Sequence, residues 1–149
     1  MRRTRLLWLV PVAAVALAGA VATSGTAQSG TATHTITFTA KSARGGFFPK
    51  GRPRPGDRFG FTDKVTGSDG SKGHDYGSCT FVTGNQAVCQ VQFVMNTGQL
   101  SAQVPVTASG HSNTGAITGG TGAYLGAQGQ GTAKDISKNT TKITLELLG

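Results

Sequence analysis

Apolar and polar residues alternate with a period of two along most of this chain, the pattern of half-buried β-strands rather than helices. The runs are His34 to Thr39, Phe59-Phe61-Asp63-Val65 alternating with Gly60, Thr62 and Lys64, and Tyr76 to Val82. They continue with Val91-Phe93-Met95, Leu100-Ala102-Val104-Val106 and the short Ala116-Ile117-Thr118. Tyr124 to Lys134 and Lys142 to Leu148 follow, the last with Ile143, Leu145 and Leu147 on one face. Eight short strands are predicted, joined by turns such as Asn96-Thr97-Gly98 and Lys138-Asn139-Thr140. Even spacing and one apolar face predict a closed barrel or a sandwich. Pro105 inside a run implies an edge or a bulge there. Ser42 to Gly56, stiffened by Pro49, Pro53 and Pro55, and Thr66 to Gly73 read as loops.

The N-terminus departs from this pattern. Arg2, Arg3 and Arg5 precede an apolar run from Leu6 to Ala22, and small residues follow. This predicts a secretory signal peptide over residues 1–27, cleaved after Ala22 or Ala27, ahead of one domain over 28–149. The run is short for a membrane span and contains Pro11. Removing the three arginines lowers the formal charge from +8 to +5, so the exported domain stays basic. Export permits a disulfide. A hairpin centred on Gly84, with Thr83-Gly84-Asn85 as its loop, would set Cys79 opposite Cys89. Bridging is the expectation, and two unpaired thiols the alternative. No histidine or carboxylate has metal-site spacing to them, so no metal and no cofactor is expected.

Ala116 to Gly131 is dense in glycine around Tyr124, spaced Gly-Gly-Thr-Gly-x-Tyr-x-Gly-Ala-x-Gly. Such spacing predicts a folded turn with close backbone approach around one ring. It does not fit a dinucleotide fingerprint, because Leu125 stands where a third glycine is needed and no helix follows. The stretch resembles the signature of the allene oxide cyclase and dirigent protein superfamily. Gly56-Asp57-Arg58-Phe59-Gly60-Phe61-Thr62-Asp63-Lys64 is similar to the G-D-x-x-x-F-T-N-K segment of the cyclases. Gly77-Ser78-Cys79-Thr80, Phe93 to Val106 and Thr141 to Leu145 match further family segments in order. The resemblance implies an all-β, eight-stranded antiparallel barrel, commonly a trimer, with a mostly apolar cavity. The cyclases place a first-strand glutamate and an asparagine in that cavity. Here Asp63 holds the asparagine position, and His34 to Ala40 carries no acid.

Asp63 is therefore the candidate catalytic residue. On one face with Phe59 and Phe61, a carboxylate among rings would have a raised pKa and suit general acid or base work. A backbone-bonded aspartate at a strand end is the plainer alternative. Asp57 fits turn chemistry. His74, Asp75 and Tyr76 enter a strand together, but neighbours on a strand point to opposite faces and form no dyad. Phe59, Phe61, Asp75, Tyr76, Val91 and Phe93 are the candidate substrate-binding residues. The expected ligand is a small hydrophobic molecule, handled by an isomerase, cyclase-like or stereo-directing protein that works mainly by orientation. A non-catalytic carrier or surface-interaction protein is the alternative. The basic loop from Arg44 to Arg58, interleaved with Phe47 and Phe48, suggests contact with an anionic cell-surface polymer rather than nucleic acid, or a lid.

Overall fold

In a computed structural model, residues 32–42, 49–107 and 109–148 are described. The signal-peptide reading and Arg44, Phe47 and Phe48 lie outside them. The described chain forms eight strands: β1 (Ala32–Ser42), β2 (Arg58–Gly67), β3 (Lys72–Phe81), β4 (Gln86–Met95), β5 (Gly98–Thr107), β6 (Ser112–Gly122), β7 (Gly129–Ser137) and β8 (Thr140–Leu148). Each strand pairs antiparallel with the next, and β8 returns to β1 to close the barrel. Closure removes the unpaired edges that an open sheet would expose.

The period-two pattern sorts the side chains. Phe38, Val65, Cys79, Phe93, Leu100, Ile117 and Leu145 point inward and are buried. Burial of such side chains stabilises each by about 1.5–3 kcal/mol and drives closure. Between them the outward positions carry threonine, glutamine, serine and lysine. The hairpin at Gly84 has the expected register, with Cys79 opposite Cys89, and the two form a buried disulfide. Pro105 pairs with Val88 on β4 and lies past Gln103, where the β5–β6 ladder stops, so its missing N–H disrupts no bond there.

Three boundaries differ from the alternation. β3 begins at Lys72, inside the stretch read as loop, because Gly73 and Gly77 occupy inward positions and leave no apolar side chain to mark them. β6 runs from Ser112 to Gly122, well beyond the short run around Ile117, because glycines fill much of it. Tyr124 to Gln128 is not strand, and β7 starts at Gly129. That segment turns back over one end of the barrel instead. Tyr124 and Ala127 are buried in the end, and the Thr97 hydroxyl donates to the Tyr124 hydroxyl at 3.1 Å. Gly122 (φ +61°) and Gly126 (φ +77°) supply the left-handed backbone the turn needs.

The opposite end is built differently. The β1–β2 ladder covers only Asp63 to Gly67, so Phe59 and Phe61 face inward from a stretch of β2 without a described β1 partner. Phe59, Phe61, Val104, Val106 and Ala133 are only partly buried there. This end is the mouth, and the Tyr124 turn is the floor.

Candidate active site at the barrel mouth

Asp63 and Asp75 are cross-strand partners on β2 and β3, and both face the interior. The strands hold them there because alternation from Phe61 and Val65 on one side, and from Gly77 and Gly73 on the other, leaves only the inward face. Asp75 is 2% exposed, whereas Asp63 is half-buried toward the rim. The Asp63 backbone N–H donates to the Asp75 carboxylate at 3.0 Å, and the Thr62 hydroxyl donates to the Asp75 carbonyl oxygen at 3.0 Å. Burial, and after it the charge of Asp63, push the Asp75 carboxyl up against a smaller lowering by the Asp63 N–H, and the net value is about 7. Near neutrality Asp75 is divided between acid and carboxylate, which is the state a proton-transfer group needs.

Aromatic rings surround the pair. Phe93 is the β4 partner of Asp75 and packs against Phe38, with ring centroids 5.7 Å apart. Phe59 packs on Phe81 at 5.2 Å. The Phe61 ring lies over Gly77, where any Cβ would collide with it. Beside the pair, Val91, Phe93, Ala102, Val104, Ile143 and Leu145 are among the residues that enclose a residual apolar space of about 30 Å³.

The barrel is similar to that of pyocyanin demethylase, with a TM-score of 0.66 and 28% identity over 76% of this chain and 99% of that chain. Two pterocarpan synthase dirigent proteins match over 76% of this chain and 84% and 92% of theirs, at 19% and 18% identity with TM-scores of 0.57 and 0.56. The fold is that of the allene oxide cyclase and dirigent superfamily. No protein-family model and no curated protein matches the sequence.

Within this superfamily barrel, Phe59, Phe61, Asp63, Asp75, Val91 and Phe93 converge on one interior. Tyr76 does not. It points outward beside Asp75 and is 47% exposed, because one step along a strand reverses the face. His74 faces outward for the same reason, opposite Lys64. Asp57 sits in the turn before β2, where its carboxylate accepts the Arg54 N–H at 2.8 Å. Among the described residues no cluster of three or more His, Cys, Asp or Glu could hold a metal ion. Sequence reasoning did not single out Phe38, whose ring completes the aromatic wall from β1. Nor did it join Asp63 to Asp75. The one signal was that both lie on inward-alternating positions flanking a single loop centred near Asp69.

Proposed function

We propose that the protein is exported, binds a small hydrophobic molecule at the barrel mouth, and isomerises or cyclises it through proton transfer by the Asp63–Asp75 pair. The cross-strand carboxylate pair carries this reading. A protonated Asp75 donates to an oxygen or nitrogen of the ligand, while the Asp63 carboxylate accepts a proton from carbon. The exchange leaves the atom count unchanged and needs no cofactor. Phe59, Phe61 and Phe93 hold the ligand in one conformation, and orientation supplies much of the rate. The apolar space beside the pair, about 30 Å³, is far smaller than an ordinary ligand pocket, so on this reading the ligand sits at the mouth rather than inside the barrel. The similarity to a demethylase of pyocyanin and to pterocarpan synthases supports a small organic ligand. The buried disulfide fits an oxidising compartment.

Native mass spectrometry after incubation with pyocyanin and with a small-molecule extract tests the reading. A retained small molecule is expected, bound equally by Asp63→Asn and Asp75→Asn, with turnover slowed roughly 10²–10⁴-fold in each. Binding without turnover by the wild type would leave the carrier alternative, and turnover unaltered in both variants would remove the carboxylate pair from the chemistry. A homotrimer is the expected assembly, with the outer faces of β4, β5 and β6, free of charged residues, as its contact surface, and a monomer mass in the same spectrum would remove it. The loop cations Lys50, Arg52 and Arg54 line a depression of about 600 Å³ and provide an anionic-polymer contact. Unchanged polygalacturonate binding after Lys50→Thr and Arg52→Thr would remove that role.

A further inference from the structure

Charge is distributed unevenly around the barrel. β4, β5 and β6 carry no charged side chain. On the other side, Lys41 and Lys64 stand directly opposite each other on β1 and β2, and Lys134 and Lys142 do the same on β7 and β8. All four are exposed on the outer face. Like charges directly opposite on a sheet destabilise it, yet the wall has two such pairs. The remaining cross-strand partners provide no compensating carboxylate: His74 faces Lys64, Thr140 faces Lys41, Thr39 faces Lys142 and Ser112 faces Lys134. The nearby carboxylates, of which Asp135 directly follows Lys134 on β7, already hold hydrogen-bond partners. Asp69 is in the β2–β3 turn, Asp135 accepts from the Thr141 hydroxyl, and Glu146 is paired with Gln130.

Beside the Lys41–Lys64 pair the wall is hydroxylic. Thr37, Thr39, Thr66 and Ser68, with Lys41 and Lys64, line a depression of about 500 Å³. A furrow fits a chain better than a flat bilayer. The outward positions of β1, β2 and β8 hold no aromatic ring, so the stacking platform used for single-stranded nucleic acid is missing. Ammonium groups bind acid groups as point charges, and the threonine hydroxyls pair with sugar hydroxyls.

We infer that this lysine–threonine wall binds a linear anionic glycan, with the two opposed lysine pairs gripping its acid groups. The inference is independent of the chemistry proposed for the mouth, so either can fail alone.

Titration of the purified protein with polygalacturonate, neutral dextran and a single-stranded polynucleotide at low ionic strength tests it. Saturable binding to polygalacturonate alone is expected, weakening as salt rises. Lys41→Thr with Lys64→Thr should weaken it by about tenfold or more. The charge-matched Arg58→Thr, set against Lys64→Thr alone and lying opposite Thr80 beyond the β1–β2 ladder, should change it by less than about threefold. Thermal unfolding of the wall variant should be unchanged or shifted upward, since a repulsive pair has been removed. Lys64→Thr alone gives the same readout if the double variant fails to fold. Absence of polygalacturonate binding, tighter binding to the polynucleotide, or equal loss in the charge-matched variant would each overturn the inference.

Discussion

Asp75 is a buried carboxyl whose nearest ionisable neighbour is another carboxyl, and its effect on stability has a definite sign. Its folded pKa, about 7, is above the unfolded value near 3.9. Between those values the unfolded chain has released a proton that the folded chain keeps. The contribution of Asp75 to stability is therefore greatest below about pH 4, falls as pH rises through the window to about 7, and levels off above it. The full loss is on the order of 4 kcal/mol. Asp75→Asn keeps an oxygen to accept the Asp63 N–H but does not titrate. Urea unfolding at pH 5 and pH 8 should show a marked loss for the wild type and nearly none for the variant. Equal losses in both would place the titrating group elsewhere.

At the scale of elements, the barrel has a floor as well as walls. Tyr124 and the glycines around it turn over one end, tied to the β4–β5 turn by the Thr97 hydroxyl. Tyr124→Phe removes that bond and should cost about 0.5–1.5 kcal/mol, read as a lower midpoint in denaturant at unchanged m. The glycine spacing announced the turn, though not that it would seal an end. Alternation placed Phe59, Phe61, Val91 and Phe93 on the inner face, and the distance from Cys79 to Cys89 set the hairpin register. It failed at the start of β3 and along β6, where inward glycines leave no apolar side chain to count. The carboxylate pair was hidden for a related reason. Partnership across β2 and β3 depends on where the intervening turn reverses, and the loop spans more residues than the turn uses.

The whole molecule is an up-and-down meander completed by one long-range pairing. β1 and β8 lie at opposite ends of the described chain, and their ladder makes the barrel a closed object. Leu145 is 1% exposed and sits opposite Ile36 across that ladder. Leu145→Ala should cost about 2–5 kcal/mol. Closing so long a loop is entropically unfavourable early in folding, so the loss should show mainly as faster unfolding in stopped-flow chevrons. A matching drop in the folding rate would instead put the closure in the folding nucleus.

Among the described residues, the vessel is covered at its floor by the Tyr124 turn, which leaves the other end as the doorway. On the function proposed above, a ligand that enters past Phe59 and Phe61 leaves the same way, so product and incoming substrate would contend for the same passage. Occupancy is then one molecule at a time, and product should inhibit competitively with respect to substrate. Traffic through the doorway, rather than events beside the carboxylates, would then set the pace of turnover.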